Sequence, residues 1–597
     1  MTGAGSGGRM GRAGLAAALF WLAPLPALAG EDLPTRAMGD ELARSMAELR
    51  LSGMEKPYFV SYRIDDLEAV AVGASLGSLT ISRPARVRLF AVELRVGDYA
   101  LDNGNWFSTR GGGGAAGVSG AGQAPLDDNY QEIRRQLWLA TDAQYKSALE
   151  ALSGKRAALE ARRGPEPLPD FGRQPPVVVA EAPPPAPAPA AELEGLAREL
   201  SAAFRSAPHV SRSSVTISSR AVFTRYVNSE GTSFTRASPA LALRVEAETQ
   251  AKDGMPVSDA LAIHGRSAAD LPPRAALLAR VAWLASHLRA VAAAPTLERY
   301  NGPVLFEAPA AAEIVAQQLA PRLLAFREPV SDDPRLDVFV GQMLSQLGLG
   351  AFADRLGARV LPEFLDVTDD PRPSEYRGTP LLGGQAVDDD GVVPRATALV
   401  QGGMLKALLA TRVPARGAPR STGSRRGWGP TPSNLLVTAS RSAAEAELRK
   451  DLLARARARG LDHALVVRRA GAGAASTAAS RLAAQMGGGS EGGNTLAEVV
   501  RVFADGREEP LRGMEIAELS PAAFRDIAAA GDRPAVWSGE FMGTHARGLG
   551  PGGHMGSEQA VVSCVAPALL FEELTLVGAR GPFPAPPVTP SPLAATR

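Results

Sequence analysis

Cysteine is almost absent from this chain: Cys564 is the only one in 597 residues. One thiol cannot close an intrachain disulfide, and no cysteine-rich zinc module can be assembled around it, so stability has to come from packing. Its apolar, strand-like surroundings, residues 561–571, suit a buried, inert thiol. A surplus of charge is also missing. Sixty-four basic and 63 acidic side chains leave a net charge of +1, without the basic excess or stripe of a nucleic-acid surface. Histidine is scarce: His209, His264, His287, His463, His545 and His554 are the full set of 6. No two of them stand four or five residues apart, the spacing at which a helix presents a zinc-binding pair. Past the first thirty residues no stretch reaches about eighteen uninterrupted apolar residues, so no membrane span is expected there.

The first residues do follow a pattern. Arg9 and Arg12 precede a short apolar stretch with Leu15, Phe20 and Trp21, and Ala27-Leu28-Ala29 forms a small-x-small cleavage signature. Residues 1–29 are therefore expected to be a signal peptide that exports the protein to a periplasmic or extracellular location. No cysteine follows Ala29 to carry a lipid.

The remainder divides by composition. Residues 30–163 read as an α+β region: a helix pattern through Met38, Leu42 and Met46, then strand-like runs at 58–64 and 86–96, then a long helix over 127–163. Residues 164–192 are rich in proline and alanine, which excludes a helix or central strand and reads as a linker or insertion, an extended spacer. Residues 193–300 form a second α+β region, with a helix at 193–204, a hairpin of strands 215–227 and 234–249, and a helix at 273–294. Residues 301–580 form a strand-rich C-terminal domain, and a disordered Pro-rich tail over 581–597 completes the division. Strands and helices alternate irregularly, so the fold class is α+β, with no repeated βαβ array.

Within the C-terminal region several pieces stand in a recognisable order: Asp388-Asp389-Asp390-Gly391, the hairpin Gln401-Gly402-Gly403-Met404-Leu405, the loop Ser421-Thr422-Gly423-Ser424-Arg425-Arg426, Pro432-Ser433-Asn434, and Phe503-Ala504-Asp505-Gly506. This order over about 270 residues resembles the C-terminal half of the TldD/PmbA family of metallopeptidase-related proteins. The resemblance implies a zinc site in active members, built from H-E-x-x-x-H on a helix and a distant cysteine. Imidazoles suit the metal and the glutamate can take a proton from metal-bound water. Aligned on the lead-in Ala311-Ala312-Glu313, that motif falls here on Ala316-Gln317-Gln318-Leu319-Ala320-Pro321. Ala316 and Pro321 replace both histidines and Gln317 replaces the glutamate, so no catalytic residue and no metal ligand is assigned. His554 is a weak metal candidate, near the position implied for the family's cysteine; Cys564 stands too late for it.

Other readings of the residues compete. Clustered carboxylates at 388–390 suit a hard cation but lack the spaced ligands of a calcium loop, which favours an acidic solvated turn. Ser421, Thr422, Arg425 and Arg426 could hold an anion or a peptide carboxylate, and a disordered basic loop fits the same composition. G-x-S-x-G occurs around Ser75 and Ser490, in neither case between a strand and a helix as a nucleophile elbow requires. Glu307 and Glu313 read as helix-surface residues.

Three functions remain in view. The resemblance implies, first, a non-catalytic PmbA/TldE-like subunit that supports peptide processing by a TldD-like partner, in a homo- or hetero-oligomer and without a cofactor of its own. The second is an exported binding or assembly protein that reuses the fold. The third is an active metallopeptidase with relocated ligands, which alone would need zinc.

Overall fold

Two very long hairpins organise the N-terminal half of this computed structural model. Strands Pro57–Ser75 and Ser78–Val96 form the first, and Arg212–Asn228 and Ser233–Gln250 the second. Their inner strands pair antiparallel, Ser61 opposite Asn228 through Ala74 opposite Val215. Strands Ser119–Ala124 and Pro256–Gly265 extend the sheet at its two edges. The structure describes residues 32–108, 119–162, 168–328, 330–346, 348–427, 429–471, 496–517, 519–541 and 560–595. The expected signal peptide, Ser490, His545 and His554 lie outside these residues.

Alternation along the strands sends one set of side chains to a helix-covered face. At one end Val60, Tyr62, Ile64, Phe90, Val92 and Leu94 pack under helices Leu33–Glu48 and Tyr130–Ala161. Burying a side chain of this size stabilises by roughly 1.5–3 kcal/mol. The Tyr62 hydroxyl ties both helices to the sheet, 3.0 Å from Ser45 Oγ and 2.9 Å from Thr141 Oγ1. At the other end Val72, Ala74, Val215, Ile217, Leu243 and Val245 pack under helices Ala190–Ala202 and Arg274–Ala293. Helix Arg274–Ala293 is long and apolar enough by length and composition to cross a membrane. Its stripe Leu277, Val281, Leu284 and Leu288 is buried in that core.

The Pro/Ala-rich segment is extended, as its composition requires, but its described part is no free spacer. Phe171 and Asp170 are buried, and Val178–Ala180 adds a short parallel strand beside residues 233–235. The Ala188 N–H then donates to Ser219 Oγ at 3.1 Å, so the strap crosses the sheet before entering the next helix. Prolines carry it because a strap with few ladder partners loses little by lacking N–H groups. The C-terminal tail is likewise docked where it begins: Gln250 Nε2 donates to Pro584 O at 2.7 Å.

Two sheets make the C-terminal half. One is ordered Met404–Leu405, Thr397–Gln401, Leu365–Asp369, Asn434–Ala439, Val561–Ala566, Ala535–Glu540. The other runs Glu508–Leu511, Glu498–Phe503, His463–Arg469, Arg299–Phe306, Leu569–Gly578, Met514–Ile516, with Ile527–Ala530 also on Leu569–Gly578. The α+β class holds throughout, and the glycine hairpins anticipated at 402–403 and 506 are present, each with positive φ.

Beneath the long helix sits a buried ion pair, Lys155 Nζ to Asp170 Oδ2 at 2.6 Å, with the Asp102 and Gly104 carbonyls accepting at 3.2 and 2.6 Å. Burial pulls the Lys155 pKa down and the Asp170 pKa up. Arg327 also pairs with Asp170, at 3.1 Å, so the carboxylate is the member whose removal strands buried charge, at a cost of about 3–5 kcal/mol. Asp170→Leu is accordingly expected to lower the urea midpoint by that equivalent, and an unchanged midpoint would show that the cluster is dispensable.

Candidate functional site

The degenerate motif lies on one continuous helical segment, from Ala308–Ile314 through Val315–Leu319 to Ala320–Leu323. It follows strand Arg299–Phe306 directly and is wedged between the two C-terminal sheets. Ala310, Ala311, Ala312, Ile314, Val315, Ala316, Leu319, Ala320 and Leu323 all belong to the main core. A helix apolar on nearly every side is a buried helix, and small side chains let it approach strands Ala535–Glu540 and Val561–Ala566 closely.

The motif positions are therefore structural here. Ala316 is 0 % exposed and Pro321 is also buried, while Gln317 is half-buried. Neither alanine nor proline offers a donor atom, so these residues do not fit a zinc ion. Among the described residues no group of three or more His, Cys, Asp and Glu side chains is placed to hold a metal. Glu307 pairs with Arg449 at 2.8 Å. Glu313 is half-buried, accepts from the Gly471 N–H at 3.1 Å, and desolvation pushes its carboxyl up to about 7.

The two polar pieces of the sequence meet each other. Asp388 and Asp390 are buried, which corrects the solvated-turn reading, and the loop carrying Arg425 is folded against them. Asp388 Oδ1 accepts from the N–H groups of Asp390 and Val392 at 2.9 and 2.8 Å, and Oδ2 from that of Arg425 at 3.0 Å. Burial, with Asp390 adjacent, pushes Asp388 up to about 8. The Arg425 guanidinium lies 2.5 Å from Asp390 and 3.4 Å from Glu93 of the N-terminal sheet. Asp389 takes Arg236 at 2.6 Å and Arg63 at 3.1 Å, both from that sheet. Burial alone would raise Asp389, but these two guanidiniums hold it well below the carboxylate range.

The four proposed anion contacts are thus brought into one loop and engaged by the protein. Ser421 Oγ accepts from the Gly423 N–H at 3.1 Å. Thr422 Oγ1 accepts from the Ala410 N–H at 2.8 Å, and Arg426 donates to the carbonyls of Val561 (3.2 Å) and Gly383. Arg412, absent from the sequence-based candidates, is 1 % exposed, donates to Gly172 O and pairs with Glu230 at 2.7 Å. Its guanidinium and that of Arg95 lie 4.1 and 3.8 Å from the centre of the Phe171 ring. Nothing in its own neighbourhood of sequence marks it, because every partner is distant in the chain.

Remaining candidates separate. His209, His264, His287 and His463 are on different elements and none is grouped for metal binding. Ser75 precedes a strand-to-strand turn and donates to Ser213 O at 2.9 Å, so no nucleophile elbow exists there. Cys564 is fully buried on strand Val561–Ala566, and burial pushes its thiol up.

Comparison with known proteins adds a similarity over the C-terminal region. The sequence profile of the PmbA/TldA metallopeptidase C-terminal domain matches residues 338–578, a span beginning downstream of the motif helix. A putative modulator of a DNA gyrase from Thermotoga maritima is similar in fold (TM-score 0.53, 15 % identity, 87 % of this chain and 96 % of that one). TldE from Thermococcus kodakarensis is similar over 91 % of this chain and 100 % of its own (TM-score 0.53, 12 % identity). So is a putative modulator of DNA gyrase from Bacteroides thetaiotaomicron (TM-score 0.51, 11 % identity, 92 % and 98 %). No curated protein matches the chain by sequence.

Two outcomes follow. Restoring the motif as Ala316→His, Gln317→Glu and Pro321→His forces an imidazole into a filled core, an overpacking cost of about 1–3 kcal/mol before its polar atoms are counted. A lower Tm without bound zinc is expected, and stoichiometric zinc at unchanged Tm would contradict the core role. Second, Asp388, Glu313 and Asp369 have raised carboxyl pKa values, to about 8, 7 and 6. Such groups stabilise fully below their unfolded value near 4, and that contribution is lost as pH rises through the folded value. Asp389 and Asp66, whose values are depressed, act in the opposite sense and protect only above about pH 4. The denaturant midpoint should peak at about pH 4 and decline from there toward about pH 8; a midpoint climbing over that interval would be inconsistent with protonated carboxyls in the folded state.

Proposed function

We propose that this chain belongs to the TldD/PmbA family, a reading supported by the match over residues 338–578, and is an exported, non-catalytic subunit of the PmbA/TldE type that supports peptide processing by a metallopeptidase partner. The observation that carries this reading is the conversion of the motif helix into core, with Ala316 and Pro321 buried where ligands would have to stand. The scaffold is kept while the chemistry is removed. A fold by itself does not specify an activity, so the site decides the reading, and among the described residues no His, Cys, Asp and Glu side chains are grouped to hold a metal there. Export rests on the residues before Glu31, with Arg9, Arg12 and Ala27-Leu28-Ala29. The partner would then share that compartment and carry an intact H-E-x-x-x-H.

A second reading, an exported binding or assembly protein without proteolysis in its complex, draws support from the sheet face turned away from the helices. Leu67, Ala69, Ala71, Val87, Ala240 and Ala242 share that face by register and are only partly buried. Ser218, Arg220 and Val222 stand between them on the same face, a mixed apolar and basic surface on which an extended chain could lie.

Affinity capture of the full chain from its native envelope fraction is expected to bring down a homologue with the intact motif. Metal analysis of the isolated chain should find no tightly held zinc, and the isolated chain should not cleave peptides. Stoichiometric zinc with cleavage by the isolated chain would sink the proposal. Capture of partners that lack any metallopeptidase would favour the second reading.

A further inference from the structure

The ion pair beneath helix Tyr130–Ala161 is sealed from water and takes no part in the function proposed above. Lys155 and Asp170 are each 1 % exposed, with Nζ 2.6 Å from Oδ2. Lys155 Nζ also donates to the carbonyls of Asp102 at 3.2 Å and Gly104 at 2.6 Å. These two acceptors match the two N–H bonds of a neutral amine, which leaves its lone pair directed at the Asp170 carboxyl. Asp170 Oδ2 accepts from the Asp102 N–H at 2.8 Å, beside the lysine. Oδ1 faces the other way, 3.1 Å from the Arg327 guanidinium, which also donates to the strap carbonyls of Leu168 and Pro169. Burial disfavours both charges of the pair, and one proton moved from Nζ to Oδ2 removes both.

We propose that Lys155 and Asp170 are a self-modification site, at which amine and carboxyl condense to an intramolecular amide bond joining the long helix to the strap. Proton transfer from Nζ to Oδ2 leaves a neutral amine against a carboxylic acid. The Nζ lone pair then bonds to Cγ, and the C=O electron pair moves onto Oδ1, where the Arg327 guanidinium stabilises the negative charge. As the C=O re-forms, the Cγ–Oδ2 bond breaks and Oδ2 leaves as water, carrying a second proton from Nζ. Ammonium and carboxylate thus become amide and water, and no oxidant or further reactant is consumed. Groups held in contact by the fold react at an effective concentration far above any in solution, and exclusion of water favours the condensed product. With a single cysteine the chain has no intrachain disulfide; this bond is a covalent tie of another kind.

Mass spectrometry of the purified full chain, intact and after trypsin, tests this. The folded chain should be lighter than its sequence by one water. Trypsin should fail to cut after Lys155, and residues 147–156 should be recovered as a branched peptide with residues 164–173. Asp170→Asn should form the same bond with loss of ammonia in place of water. Lys155→Arg keeps the positive charge without a primary amine, and its mass should equal its sequence. The proposal is overturned if trypsin releases Lys155 from the folded wild-type chain at full sequence mass, or if the mass deficit persists in Lys155→Arg. The wild-type result decides the matter even where a variant fails to fold.

Discussion

A guanidinium can be buried only beside groups that accept its charge and its hydrogen bonds, and the junction of the two halves depends on that constraint. Arg425 reaches across to Glu93, while Arg63 and Arg236 reach in the opposite direction to Asp389. Arg412 ties the strap carbonyl of Gly172 to Glu230. Each of these charges also has a partner across the junction, beside those in its own half such as Asp390 for Arg425 and Asp65 for Arg63, so sheet, strap and C-terminal domain hold one another in place. The planar fork of arginine suits this better than a lysine ammonium would, because one side chain can serve a carbonyl, a carboxylate and an aromatic face together.

Much of the fold was legible in the sequence because it is governed by local periodicity. Helix Arg274–Ala293 and the two long strands of the second hairpin appear within about three residues of where their apolar spacing puts them. The strap shows where local reading stops. Proline content excluded a helix, yet composition alone could not show that Val178–Ala180 would find a strand edge or that Phe171 would be buried. Those outcomes depend on partners more than fifty residues away.

The candidate site was legible in a different way. That Ala316 and Pro321 offer no metal-binding atom was plain, since chemistry missing from the side chains cannot be supplied by the fold. The meaning of 388–390 was not plain. Three consecutive aspartates ordinarily solvate themselves, and only the arginines brought in by strands from residues 57–75 and 233–250 make their burial tolerable. The carboxylates of Asp388, Asp390 and Glu93 explain why the basic loop around Arg425 is folded. Opposite charges at distant positions are individually uninformative until the topology pairs them.

The N-terminal sheet has a consequence for the order in which the chain can assemble. Each long hairpin is a local unit whose strands are joined by a tight turn, at Leu76-Gly77 and around Gly231, and each can form early. The pairing of Pro57–Ser75 with Arg212–Asn228 is different, because it closes a loop of about 115 residues at a cost near 4 kcal/mol in chain entropy before any contact rewards it. That loop contains the long helix and the strap. The first hairpin with its two covering helices is therefore the natural nucleus, and the strap, which needs the second hairpin as its edge, can lock only after the two have met. Slow closure of this kind leaves the edge of residues 61–74 open for longer than the rest of the sheet.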